Sequence, residues 1–276
     1  MAGSRLYYID PPPPPVRNPG LFDVGMGPMP FPVPGAVGGG VTYIPDTCGD
    51  SFLWDMQCPP VSGAKTFQAL PAAVTGAPFA VYSSYTCSIV GFDYAEASRR
   101  VRTRMALEAQ KGVERRFWGG GPAPGGFITG LLRGATTLTA ASCTLTAVAT
   151  LEQALADNGI EGGVIHARPF MMPFFANLHV LEKNGRGWQT PLGTAIVFGQ
   201  GYDGTGPAGE AVTATTEWMY ATGRVPIWQD PEVFVPPVDV LNRSDNTLSL
   251  VAEQVYALGI ECGKWAVQVT RDCTLQ

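Results

Sequence analysis

Hydrophobic and polar positions alternate in three different ways along this chain. Between Tyr94 and Phe117 apolar residues recur at helical spacing, at Ala97, Val101, Met105, Leu107, Ala109, Val113 and Phe117. The stretch has no proline and Gly112 is its only weak former, so it predicts one helix about 35 Å long. Asp93 with Glu96 three residues on has the form of a capping box, and Gly119–Gly121 is a stop signal. A second helix is expected over Ala147–Asn158, with Ala147, Leu151 and Ala154 or Leu155 inward and Gly159 as its C′ residue. Pro169–Lys183 predicts a short helix entered through Pro173, with Phe174, Leu178 and Leu181 inward.

Short apolar runs predict buried strands at Gly162–His166 and Thr194–Gly199. Runs rich in β-formers predict strands at Phe79–Ser83 and Tyr85–Val90. After Ala211 the pattern turns to β throughout, with candidates at Ala211–Ala214, Thr216–Ala221, Arg224–Trp228, Leu248–Ala257 and Lys264–Thr270. Asn184-Gly185 marks a turn. Residues 1–46 follow neither period. Pro11–Pro15 predicts a stiff polyproline segment, yet Leu21, Phe22, Met26, Met29, Phe31 and Val33 keep apolar side chains nearby. A disordered linker is usually poor in such residues, so this arm is expected to be ordered by lying on another surface, a neighbouring subunit being one candidate.

Composition narrows the function. Of 276 residues 45% are hydrophobic and only 15% charged, against an ordinary ~25%. With 34 Gly and 25 Pro, this favours an extended, loop-rich chain that covers itself with neighbours. The net charge of −5 argues against a dedicated nucleic-acid binder. Seven of the 18 basic residues nevertheless sit on the first helix: Arg99, Arg100, Arg102, Arg104, Lys111, Arg115 and Arg116. Two readings compete for them. One is a solvated face balanced by Glu96, Glu108 and Glu114 or by acids of other subunits. The other is a stripe facing packaged DNA through sequence-independent phosphate contacts. No secretory signal and no transmembrane run is visible, so no membrane partner is expected.

Catalytic and metal chemistry finds little support. Six scattered cysteines show no C-x-x-C spacing, which disfavours zinc and makes free thiols the expectation. His166 lies in an apolar run and reads as a core or interface histidine. No carboxylate pair and no G-x-S-x-G elbow suggests an enzyme. Gly199-Gln-Gly201-Tyr202-Asp203-Gly204 matches G-x-G-x-x-G after a strand, but a dinucleotide site needs those glycines to open a helix. Here "TGPAGEAV" follows, so the expectation is a surface or axial loop and no bound cofactor.

The order of segments, from about residue 80 to 275, resembles the major capsid proteins of tailed double-stranded DNA bacteriophages, the Hong Kong 97-type fold. "VERRFWGGG" (Val113–Gly121) is similar to the end of that family's spine helix. "LEQALADNGIEGGVIHA" (Leu151–Ala167) is similar to its central helix and strand, and "HVLEKNGRGW" and "LGTAIVFGQGY" to the segments that follow. "TGRVPIWQD" and "LNRSDNTLSLVAEQVYALGIECGKWAVQV" look like its C-terminal strands. Two of these segments also resemble head proteins of actinobacterial phages.

The resemblance implies an α+β fold with a spine helix, a central axial α/β domain and a peripheral β-rich domain. It implies an N-terminal arm (1–46), an E-loop-like extended region (47–92), a peripheral part with the spine helix (93–146), an axial domain (147–220, its loop at 199–209) and strands completing both domains (221–276). The implied function is structural: self-assembly into hexamers and pentamers of an icosahedral phage head around double-stranded DNA, in the virion after assembly in the host bacterial cytoplasm. Portal, scaffolding and decoration proteins would be its partners. A minor capsid, decoration or tail-tube protein and an encapsulin-like shell stay open as alternatives. The short, proline-rich N-terminal third departs from the family pattern.

Overall fold

The computed structural model describes residues 17–24, 27–31, 39–45, 48–49, 71–88, 94–123, 126–235, 240–242 and 244–271. In chain order the elements begin with β1 (Met29–Pro30), β2 (Val41–Tyr43), β3 (Val74–Gly76) and β4 (Pro78–Ser88). Then come α1 (Tyr94–Phe117), β5 (Gly120–Ala123), β6 (Gly126–Thr129), β7 (Thr136–Thr137) and α2 (Thr144–Asp157). β8 (Val164–Ala167), α3 (Met172–Asn177), β9 (Glu182–Asn184), β10 (Gly187–Gln189) and β11 (Ala195–Phe198) follow. The chain ends with β12 (Thr216–Thr222), β13 (Ile227–Gln229), β14 (Val240–Asn242), β15 (Thr247–Leu258) and β16 (Lys264–Thr270).

A seven-stranded mixed sheet runs β7-β16-β12-β8-β11-β10-β9. Its central strands are buried on both faces, so they read as continuous apolar runs rather than as alternation. Val164, Val197, Trp218, Tyr220 and Ala266 face α1. Ile165, Ile196, Met219, Ala221, Val267 and Val269 face α2 and α3. Ala147, Val148, Leu151, Ala154 and Leu155 fix α2 on this second face, and α2 stops where Ile160 N donates to Leu155 O (3.0 Å) beyond Gly159. In α3 the inward anchor is Phe175 rather than the expected Phe174, which with Leu178 and Leu181 is only partly covered. Pro173 lies in the first turn, where its missing N–H costs nothing.

The second sheet is antiparallel at its centre. β15 pairs with β4 along eleven residues on one side and with β13 and β14 on the other. β1 adds to β13 in parallel. Helix α1 lies across this sheet and buries Ala97, Val101, Met105, Ala109, Val113 and Phe117. Gly112, the weak former within the helix, sits where Val81 comes close: a Cβ there would be 2.6 Å from Val81 Cγ1. Leu107 matches the spacing but faces out. Asp93 of the expected capping box lies outside the described residues; Glu96 pairs with Arg99 (2.8 Å) and Arg100 (2.5 Å).

Three strand expectations change. Phe79–Ser83 and Tyr85–Val90 form one strand as far as Ser88, because Ser83 fits, buried, opposite Ala252. Arg224–Trp228 shortens to β13. Ala211–Ala214 is no strand: Thr213 Oγ1 accepts from the backbone N–H of Thr215 (3.3 Å) and Thr216 (3.0 Å), a turn that competes with ladder pairing.

The N-terminal segment packs on its own chain. Leu21 is buried against α1, Phe22 stacks on Tyr256 at 5.9 Å, and Phe31 is buried beside Ala257. Met26 and Val33 lie outside the described residues. The thiols need correction too. Cys87 is free, but Cys48 is joined to Cys262 across 214 residues, and Cys143 is also disulfide-bonded. Only the tertiary fold brings Cys48 to the β15–β16 turn, so no spacing could announce the pair. Cys48→Ser is expected to lower stability by about 2–4 kcal/mol, because the denatured chain regains the entropy of a very long loop. Scanning calorimetry of the wild type and Cys48→Ser without reductant checks this, and a smaller difference between the two in reductant would assign the effect to this bond.

Candidate functional site

The features singled out in the sequence converge on the C-terminal half of α1. Glu114 was expected on a solvated face. It has no exposed surface. Its Oε1 accepts from Leu21 N (3.0 Å) and its Oε2 from Gly201 N (2.9 Å). Burial pushes its carboxyl pKa up; hydrogen bonds from the Leu21, Gly201 and Gln200 N–H groups and the nearby Arg17 charge pull it back. One side chain thus ties the N-terminal segment and the β11–β12 loop to the helix. Arg17 supports the arrangement by donating to Gln110 Oε1 and pairing with Asp23 (3.1 Å), while Arg186 donates to Arg17 O (2.7 Å).

The glycine-rich loop is therefore no surface loop along most of its length. Gly199, Gly201, Tyr202 and Gly204 are buried, while Gln200 and Asp203 are exposed. A Cβ on Gly201 would stand 2.3 Å from Lys111 O, so glycine is required by helix backbone rather than by a phosphate. Asp203 Oδ1 is occupied by Thr205 N (2.8 Å) and Thr205 Oγ1 (2.7 Å). Tyr202 packs 4.5 Å from the Trp118 ring, and the Trp118 indole N–H and the Tyr220 hydroxyl both donate to Thr205 O (3.0 and 2.8 Å).

His166 is a fully buried core residue. Thr222 Oγ1 donates to Gly223 O (2.8 Å), so it accepts from His166 Nε2–H (2.9 Å), and His166 Nδ1 accepts from the Tyr202 hydroxyl (3.0 Å). The network leaves the ring neutral, and burial depresses its pKa to about 3. Nothing here is poised for proton transfer to a substrate, because both ring nitrogens are used internally. Buried Glu217 shows the same economy, pairing with Arg168 (3.1 Å) and Arg271 (2.8 Å). Among the described residues no group of three metal-ligating side chains converges and no helix is long and apolar enough to cross a membrane.

The seven basic residues do not act alike. Arg99 and Arg100 pair with Glu96. Arg102 donates to Val233 O (3.4 Å) and Arg104 to Ser84 O (3.2 Å), its guanidinium also over the Tyr85 ring. Arg116 is half-buried, donates to Thr129 O and covers Phe79, and desolvation lowers its pKa. Lys111 and Arg115 are exposed and line, with Glu108, a groove of about 400 Å³ between α1, β4 and the β5–β6 hairpin. Large apolar side chains are exposed as well, among them Leu192 (76%), Phe127 (61%), Phe234 (59%) and Tyr82 (58%).

Solved structures match this architecture over nearly the whole chain. The capsid of the native GTA particle matches with a TM-score of 0.56, 11% identity and 95% of each chain covered. The chain has the Hong Kong 97-type capsid fold. Mycobacterium phage Bobi matches with a TM-score of 0.54 and 10% identity, over 98% of this chain and 96% of that one. Mycobacterium phage Adephagia matches with a TM-score of 0.54 and 11% identity, over 95% and 93%. No protein-family model and no curated protein sequence matches. In this fold α1 is the spine helix, and the junction at Glu114 sits on its C-terminal half.

Two outcomes follow for the buried groups. Glu114→Ala strands the Leu21 and Gly201 N–H groups and is expected to cost roughly 2–4 kcal/mol, or about 5–10 °C in the thermal midpoint. Glu114→Gln, which turns a donor toward a donor, is expected to lie between it and the wild type. For His166 the folded pKa is depressed, so the unfolded chain binds the proton more readily. Stability from the neutral ring is full above about pH 6.5 and falls as the pH drops toward 3. The stability advantage of the wild type over His166→Gln, measured by urea unfolding, should therefore shrink between pH 7 and pH 4.

Proposed function

We propose that this chain is the major capsid protein of a tailed phage or a phage-like particle, assembling into pentamers and hexamers of an icosahedral shell around double-stranded DNA. The observation that carries the reading is the match of the whole fold, over 95% of both chains, to the capsid of the GTA particle. Three features support it. Every buried titratable group described above is consumed internally, which suits a structural role. The exposed apolar side chains of a lightly charged chain need partners. Lys111 and Arg115 offer the helix's open positive charge to a neighbour or to DNA.

In this reading the seven-stranded sheet with α2 and α3 is the axial domain, and the five-stranded sheet with α1 is the peripheral one. Residues 47–92 are the E-loop-like extended region, of which β3 and β4 are the described strands. Gln200, Asp203, Ala208 and Gly209 carry the exposed part of the expected axial loop. Within the arm (1–46), Leu21, Phe22 and Phe31 pack on their own chain, and a clamp on neighbours would draw on the rest of the arm. Assembly takes place in the host bacterial cytoplasm, with portal, scaffolding or decoration proteins as further partners.

Negative-stain electron microscopy of the expressed chain tests this. Round shells or five- and six-fold rings are the expected outcome. Stacked tubes would transfer the chain to a tail, and a monomer at every concentration would overturn self-assembly.

A further inference from the structure

The chain steps directly from one sheet to the other at two places, and the two steps lie side by side. Residues 223–226 lead from β12 of the seven-stranded sheet to β13 of the five-stranded one, and residues 259–263 lead back from β15 to β16. Their backbones bond to each other. Gly223 N donates to Gly263 O (3.2 Å), Glu261 N to Arg224 O (3.0 Å) and Gly259 N to Pro226 O (3.1 Å). A Cβ on Gly223 would stand 2.1 Å from Glu261 O, so glycine is what lets the two steps approach. The returning step turns tightly, with Cys262 at φ +66° and Gly263 at φ +148°. A left-handed backbone favours glycine, and a cysteine adds only its sulfur there.

That sulfur is bonded to Cys48, which follows β2 and stands at the start of the extended region (47–92). The bond therefore fastens this region to the place where the two sheets meet. Cys48 and Cys262 are both half-buried, so a small thiol or disulfide can reach them. Strand β2 has its place without the bond. Tyr43 packs edge-on against Trp228 at 5.3 Å, and β2 pairs with β3 along its three residues. β3 in turn lies on the end of β15, where a Cβ on Gly76 would meet Leu258 O at 2.7 Å. A bond that the neighbouring strands do not need, and that a reducing cytoplasm would keep open, has room to act late.

We propose that Cys48 and Cys262 form a redox lock, open as two thiols while subunits assemble in the reducing cytoplasm and closed once the finished shell leaves it. The oxidant is a low-molecular-weight disulfide. One protein thiolate attacks it, forms a mixed disulfide and expels one small thiolate. The second protein thiolate attacks the protein sulfur of that mixed disulfide and expels the other. Two electrons pass from the protein to the small disulfide, and the two cysteine protons end on the two small thiols. Open, the pair leaves the start of the extended region to be placed during assembly. Closed, it holds that region to the sheet junction. The lock rests on the shell reading for assembly and release, and the tests separate the two.

Thiol trapping reads the order of events. Cells that express the chain are lysed in N-ethylmaleimide, particles are isolated, and Cys48 and Cys262 are scored by peptide mass spectrometry. Both should be alkylated in particles trapped at lysis, and joined in particles held with oxidised glutathione before trapping. Particles that already carry the bond at lysis would overturn the lock and leave the shell reading standing. Hydrogen exchange and melting then read what the bond does. In oxidised particles the Gly259 and Glu261 amides should exchange on the order of 10-fold more slowly than in particles kept in dithiothreitol. The oxidised particles should also melt about 5–10 °C higher. Cys48→Ser, which retains Cys87 and Cys143, should assemble like the wild type and show neither difference. Wild-type particles indifferent to oxidation, or Cys48→Ser particles that respond equally, would overturn the lock. So would a Cys48→Ser chain that fails to assemble, because the bond would then be needed early. A wild-type chain that never forms particles overturns both readings.

Discussion

A buried carboxylate on a long helix sets the terms for the rest of this molecule. An ionised group without exposed surface is costly unless donors surround it. Glu114 obtains its donors from backbone rather than from a counter-charge in direct contact, and those N–H groups belong to Leu21 and Gly201, far from it on either side in sequence. The burial of Glu114 therefore depends on both segments being in place. Once they do, the N-terminal segment, the spine helix and the seven-stranded sheet are held at one point. Phe22 then reaches Tyr256 of the five-stranded sheet, so that point also fixes how the two sheets stand about α1.

The loop that supplies Gly201 has no room for anything but backbone. Its aromatic neighbours continue the same logic inward. Tyr202 lies on Trp118, donates to His166, and through His166 is tied to Thr222 in β12. Glu114, His166 and Glu217 each have partners of the correct donor or acceptor sense within the chain. A network of that kind rigidifies the body of a subunit. Rigidity in the body leaves adaptation to the edges, which suits a part that must occupy differently curved positions in one shell.

Much of this was legible because two periods dominate the sequence. α1 and β16 run between the residues their patterns mark, Tyr94 to Phe117 and Lys264 to Thr270. His166 was readable as a core residue because the strand around it is apolar throughout. Other features leave weaker traces. Glu114 follows Gln110 by four residues and flanks Val113 and Phe117, so the apolar stripe is broader than its apolar members suggest. A charged residue at such a position is ordinarily solvated, and only the two incoming N–H groups reverse that. Ala211–Ala214 alternates like a strand, but hydroxyls two to three residues from the competing amides capture them first. The Cys48–Cys262 bond joins residues 214 apart and had no local sign at all.

Low charge and a large exposed apolar surface acquire one meaning together. A monomer with Leu192, Phe127, Phe234 and Tyr82 in water has several separate reasons to associate and little net charge to oppose it. Closed symmetry adds such dispersed contacts together, because each subunit in a ring or shell makes every contact at once and loses all of them on leaving. Weak, dispersed and partly polar contacts also permit correction during assembly, since a wrongly placed subunit gives up only one or two. The chain thus keeps strong interactions inside the subunit, at Glu114, Glu217 and His166, and in the proposed shell would present modest ones outside. That division is what a self-built container requires: units that do not deform, joined by contacts that can be remade until the shell closes.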